Sequence, residues 1–216
     1  RQRQMCIRDR GTSVRIASDG EVELRGVGIM AHYWRNEKAD EESFTEDGWF
    51  RTGDLGELTE RGMLKITGRK KEVIVTAGGK NVIPGTYEDL IRASPLVSQC
   101  VVLGDGKPFI SALITLDEET LPKELGRLGL DPDLTAEQAA QTEEVREAVQ
   151  RLVDRANESV SRAESVRAFR IIPRDFTEES GHLTPSMKIR RPQVMRDYQD
   201  VIEEIYRSPK PTGNDA

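Results

Sequence analysis

Between Glu143 and Val160 the apolar residues Val145, Val149, Leu152, Val153, Ala156 and Val160 recur at three- and four-residue steps. That spacing makes a helix with a single apolar stripe, and such a stripe must be laid on another apolar surface. Short apolar runs on either side supply it: strands are expected at 97–103, 108–116 and 166–172, with a further strand, EVIV, at 72–75. A helix with Pro84 in its first turn is expected to reach about Ala93. A last helix from Pro192 carries Val194, Met195, Tyr198, Val201, Ile202 and Ile205 on one face. Residues 117–141 read as helical in pieces, broken by Pro122, Gly126, Gly129 and Pro132. Residues 69–207 are therefore expected to form a small α+β domain, a mixed sheet flanked by helices.

Upstream the pattern differs. TSVRIA (12–17) and EVELR (21–25) read as strands around the turn Ser18-Asp19-Gly20, and residues 55–67 as a hairpin turning at Glu60-Arg61-Gly62. Residues 28–53 read as irregular and polar, holding Tyr33, Trp34 and Trp49. Residues 11–68 thus look like the end of a β-rich body. The first ten residues, RQRQMCIRDR, show neither helical nor strand periodicity and are set aside as a non-native leader. The Pro- and Gly-containing stretch 208–216 is expected to be a flexible tail.

A hydrophobic content of 36% suffices for a core, while a formal charge of -6 argues against a general nucleic-acid surface. No apolar run approaches the roughly 18 residues of a membrane span, which points to a soluble, cytoplasmic protein. Cys6, Cys100, His32 and His182 show no ligand spacing, so no metal site is expected from side chains, and neither histidine is assigned a role. Cys100 sits in the apolar run LVSQCVVL, where a free thiol behaves as a small buried hydrophobe.

The chemistry concentrates in GWFRTGDLGELTERGMLKITGRKKEVIVTAGGKNV (48–82) and GHLTPSMKIRRPQVMRDY (181–198). Asp54 lies between glycines, at a turn entering a strand, where a carboxylate can accept hydrogen bonds from two adjacent ribose hydroxyls. From TGD alone an ordinary turn aspartate is the simpler reading. Arg69 can donate several planar hydrogen bonds to ribose or phosphate oxygens, or be a solvated strand-end arginine. Gly78 and Gly79 let an extended ligand pass close to the backbone, though a plain turn with Lys80 solvated fits as well. Pro185 restricts the Thr184-Pro185-Ser186 stretch before Lys188, and the run MKIRR by itself reads as a solvated basic helix start. Glu88 can be structural or functional, and Trp49 is first a packing anchor.

Taken in order, these motifs resemble the acyl-adenylate-forming superfamily, over about Gly11 to Tyr206. The resemblance implies an adenylate-binding role for Asp54 and Arg69 and a hinge at Lys71. It implies a loop of Gly78, Gly79 and Lys80 lining the tunnel for the pantetheine arm of coenzyme A. It assigns the catalytic lysine of the adenylation step to Lys188. It further implies ATP or AMP, coenzyme A and Mg2+ as cofactors, the ion being held mainly by the nucleotide and by upstream sequence. Neither the superfamily's phosphate loop nor its aromatic-Gly-x-Thr-Glu segment occurs here, so the expectation is a C-terminal piece: the end of the large domain and the mobile lid, inactive alone.

The run SPLVSQCVVLGDGKPFISALITLD, followed by a long helical insertion, is most similar to the bacterial long-chain fatty acyl-CoA synthetase branch. That implies a fatty acid as substrate, with peripheral membrane association open. Two other readings stand beside it: an aryl-CoA ligase or amino-acid adenylation domain, and a non-catalytic module binding RNA through Lys70, Lys71 and Lys80.

Overall fold

The computed structural model describes residues 11–158 and 160–207. The expected leader and tail lie outside them. The chain divides into two compact units, one ending at Val73 and one beginning at Ile74.

The N-terminal unit is a four-stranded antiparallel sheet in the order β1 (Thr12–Ile16), β2 (Glu21–Gly26), β3 (Phe50–Leu58) and β4 (Leu64–Arg69). Two expectations are corrected here. A short helix, α1 (Glu37–Ser43), occupies the segment read as irregular, with the Asn36 side chain accepting the Ala39 amide hydrogen at 3.2 Å. The strand read as starting at Leu55 starts at Phe50, so Asp54 sits inside β3, not at a turn entering it. The glycines that suggested a turn instead make an irregular strand: Gly53 has φ +72°, and the β3–β4 register shifts between Leu55 and Gly56. A Cβ at Gly56 would lie 2.7 Å from the Lys65 carbonyl oxygen, so the two strands meet there only through glycine.

In the second unit a two-stranded ribbon, β5 (Ile74–Val75) and β6 (Asn81–Val82), precedes α2 (Pro84–Arg92). The expected strand 72–75 is shortened because Lys70–Glu72 form a single 3-10 turn. A three-stranded sheet follows, with β7 (Val97–Leu103) antiparallel to β8 (Ile110–Leu116) and β8 parallel to β9 (Val166–Ile172). The parallel step is bridged by α3 (Leu121–Arg127), α4 (Ala136–Ala139) and α5 (Glu143–Asn157). Pro122 lies in the first turn of α3 and starts that helix where a break was expected.

This sheet is covered on both faces, which is why β7 and β8 are continuous apolar runs with little alternation. On one face Cys100, Val102, Ile114 and Leu116 pack with Ile91 of α2 and with Val145, Val149 and Val153 of α5. Val160 lies beyond the end of α5 yet still packs against this core. On the other face Val101, Leu113 and Ile172 pack with Phe176, Leu183, Val194, Ile202 and Ile205. The expected last helix is two, α6 (Arg191–Asp197) and α7 (Gln199–Arg207), parted at Tyr198 with φ −108° and ψ 22°. Met195, expected on the apolar face, is exposed, and Val194 is the buried residue of α6. The architecture is α+β, a mixed sheet flanked by helices in one unit and an antiparallel sheet in the other. Among the described residues no helix is long and apolar enough to cross a membrane.

Candidate active-site segments

Asp54 and Arg69 are cross-strand partners in β3 and β4, and Nε of Arg69 lies 2.8 Å from Oδ1 of Asp54. The pair is built on the irregularity in β3. The buried Glu21 accepts the Gly53 amide hydrogen at 2.9 Å on Oε1, and its Oε2 lies 2.7 Å from Nζ of Lys70. Thr52 donates its hydroxyl to the Val22 carbonyl at 2.7 Å and accepts the Asp54 amide hydrogen at 3.1 Å. Sequence reasoning missed both supporting residues; the only signal was a glutamate at the inward start of an alternating strand.

Lys70 also reaches Asp19 at 2.7 Å. Hydrogen bonds to Asp19 and then Glu21 raise the Lys70 pKa, and the same bond from Lys70 lowers that of Asp19. Lys70 is thus committed to the sheet, unlike the solvated cation a nucleic-acid-binding module requires. Lys71 is exposed in the same 3-10 turn, just before the division between units.

Gly78 and Gly79 lie in the exposed turn joining β5 and β6, where Gly79 takes φ +75°. The Thr76 carbonyl accepts the Gly79 amide hydrogen at 2.8 Å, and Thr76 donates its own amide hydrogen to the Lys80 carbonyl at 3.0 Å. An ideal Cβ at Gly79 would meet nothing within 4 Å, so that face of the turn is open to an approaching chain. The turn is clasped from the β7–β8 connection. Ala77 donates to the Lys107 carbonyl at 2.9 Å, Gly106 to the Val75 carbonyl at 2.8 Å, and Val75 to the Asp105 carboxylate at 3.1 Å.

Lys188 sits on a closed hairpin. Leu183 and Ile189 form an antiparallel bridge, and Arg190 donates to the His182 carbonyl at 2.8 Å. Thr184 donates its amide hydrogen to the Lys188 carbonyl at 2.8 Å, and its hydroxyl oxygen accepts that of Lys188 at 3.0 Å. Met187 has φ +59°, a left-handed conformation uncommon outside glycine, directly before an exposed Lys188.

His182, given no partner from sequence, is buried with Nε2 2.9 Å from Asp197 and Nδ1 2.9 Å from the Ser180 hydroxyl. Hydrogen bonds from Gln193 and then His182 hold the Asp197 carboxyl below its ordinary value. Glu88 is buried and bonded to Arg191, so its role is structural in the first instance. Asp54 and Arg69 are brought together in the first unit; Gly78, Gly79, Lys80 and Lys188 stand on separate segments of the second. A groove of about 640 Å³ in that unit, lined among others by Ser98, Asp117, Arg174 and His182, contains none of them.

The profile of the AMP-binding enzyme C-terminal domain family matches residues 71–210. The chain belongs to this family. It is 52% identical over 207 residues to the long-chain-fatty-acid--CoA ligase FadD15 of Mycobacterium tuberculosis, covering 91% of this chain and 32% of that protein. It is 34% identical to the long-chain-fatty-acid--CoA ligase ACSBG2 of Gallus gallus, covering 87% of this chain and 27% of that one. The chain therefore spans about a third of the length of the curated relatives it matches. Among solved structures, the adenylation domain of a carboxylate reductase from Mycobacterium chelonae superposes with a TM-score of 0.68 at 25% identity, covering 88% of this chain and 28% of that one. Among the described residues no group of three or more His, Cys, Asp or Glu could hold a metal ion.

Proposed function

We propose that this chain works as part of an ATP-dependent long-chain fatty acid–CoA ligase, with residues up to about Gly68 closing the large domain and the rest forming its mobile lid. The observation that carries the choice of acid is the likeness to the mycobacterial fatty-acid ligase. The reading of the residues rests on the Asp54–Arg69 pair and on the Lys188 hairpin.

In the first half-reaction a fatty acid carboxylate oxygen attacks the α-phosphorus of ATP, a new O–P bond forms, and pyrophosphate leaves. Two anions must approach, and the Lys188 ammonium between them offsets their repulsion and the charge that develops on the phosphoryl oxygens. Lysine suits this because its cation rides on a flexible stem, while the Thr184 bonds hold its backbone. Asp54 accepts hydrogen bonds from the ribose hydroxyls, and Arg69, aligned by Asp54, donates to ribose or phosphate oxygens. Mg2+ would arrive with the triphosphate and neutralise part of its charge.

In the second half-reaction the lid turns about Lys71, an element-terminal position of the kind that absorbs backbone rotation. The thiol of coenzyme A then attacks the acyl carbonyl and AMP leaves. The exposed Ala77–Lys80 turn, with no Cβ at two positions, lines the path of the pantetheine arm. Domain closure excludes water from a hydrolysable anhydride. The reaction is placed in the cytoplasm, with the acyl chain drawing the complete enzyme towards the inner membrane face.

The test is the complete protein incubated with ATP and a panel of acids. Fatty-acid-dependent release of AMP and pyrophosphate, and acyl-CoA once coenzyme A is added, are expected. Turnover of aryl or amino acids but not fatty acids would overturn the substrate; no acid-dependent AMP would overturn the whole reading.

A further inference from the structure

Arg191 follows Lys188 by three residues and opens α6, and its side chain runs back into the protein. Its Nη2 lies 2.6 and 2.5 Å from the two carboxylate oxygens of Glu88 on α2, and Nη1 donates to the Val102 carbonyl at 3.1 Å. Oε1 of Glu88 in turn accepts the Val102 amide hydrogen at 2.7 Å. β7 is an edge strand, and at Val102 both outward peptide groups are taken by this one ion pair. The side chains are 20% and 9% exposed.

A buried ion pair adds little net stability over well-packed apolar residues, so stability alone is a weak account of it. What a planar guanidinium supplies here is direction, because one nitrogen spans the Glu88 carboxylate while the other holds the Val102 carbonyl, and two acceptors on different elements admit one orientation where packing admits several. We propose that Glu88 and Arg191 are positioning residues for Lys188, fixing the C-terminal stem of its hairpin against α2 and β7. The inference rests on the adenylation role given to Lys188 above. The other stem is held by the buried Leu183 and by the His182–Asp197 bond, which ties it to the far end of the same helix α6. With both stems anchored, only the lysine stem itself is left to adapt to the reacting anions.

The test uses the complete ligase and measures the two half-reactions apart. Arg191→Lys keeps the charge and loses the planar pair of nitrogens that holds Glu88 and the Val102 carbonyl at once. Adenylation kcat is expected to fall about ten- to hundredfold, the usual cost of a misplaced catalytic group, with KM for ATP and acid unchanged. Thioester formation from supplied acyl-adenylate should be unaffected. A purely structural role would lower both half-reactions together, and that result, or undiminished adenylation, overturns the inference. The double variant Glu88→Gln/Arg191→Met leaves no charge buried, so it provides a folded protein without the pair, and it should show the same split. Lys188→Ala runs alongside: if it leaves adenylation intact, the reading of Lys188 fails and this inference with it. If it abolishes adenylation while Arg191→Lys does not slow it, only the positioning role fails.

Discussion

At Gly53 the backbone turns left-handed inside a strand, and Glu21 takes up its amide hydrogen at 2.9 Å. The arrangement leaves Asp54 opposite Arg69 with its carboxylate against the guanidinium. A hydrogen bond to a charged group is worth about 1.5–3 kcal/mol, so Asp54→Ala or Arg69→Ala should raise KM for ATP roughly ten- to hundredfold in steady-state assays of the complete ligase. Asp54 and Arg69 could be singled out in the sequence because their flanking motifs stand in order along the chain; that the two side chains meet at 2.8 Å could not. Glu21 was not, because its partners are 32 and 49 residues away.

A second prediction at this scale concerns Tyr87, buried with its hydroxyl donating to the Glu164 carbonyl at 2.8 Å. Burial pushes its pKa up to about 12. The folded state therefore holds this proton more tightly than the unfolded chain, and the associated stability is full below about 10 and lost as the pH rises towards 12. Tyr198 and Tyr206, raised by burial in the same direction, add to that alkaline loss. Denaturant titrations across this window should show Tyr87→Phe with a shallower decline than the parent protein.

Among the elements, β7 and β9 run over the residues expected of them; β7 is buried along nearly its whole length, which leaves it few alternative placements, and β9 keeps its apolar residues on the sheet although Arg167 and Arg170 interrupt the run. The break at Tyr198 had no such signal: no glycine or proline stands there. Its cause is tertiary, since the Tyr198 ring packs 5.8 Å from Phe176 and 5.6 Å from His182, and that contact outweighs a continuous helix. The two-residue strands β5 and β6 were equally hard to read, being held as much by the Asp105–Lys107 turn as by each other. It follows that Asp105→Ala should speed hydrogen exchange at the Val75, Ala77 and Gly106 amides by about ten- to hundredfold, as loss of a charged hydrogen bond implies. In the complete ligase the same variant should raise KM for coenzyme A and leave adenylation unchanged. Unaltered exchange at all three amides would show that the clasp does not hold the turn.

At the scale of the molecule, the second unit owns two apolar clusters, one on each face of its sheet. Residues 74–207 expressed alone are expected to unfold in one cooperative transition. Leu125 is fully buried in the first cluster, and Leu125→Ala should destabilise that transition by about 2–5 kcal/mol in denaturant. A fold of this kind does not by itself specify chemistry. The proposed chemistry rests on the lysine of the hairpin, and the most direct measurement is Lys188→Ala in the complete protein, with each half-reaction followed separately. Acid-dependent formation of acyl-adenylate is expected to fall by about a hundredfold or more, the scale of losing one charge-stabilising group, while thioester formation from supplied acyl-adenylate continues at the parent rate. Equal loss of both steps, or adenylation that survives the substitution, would contradict it.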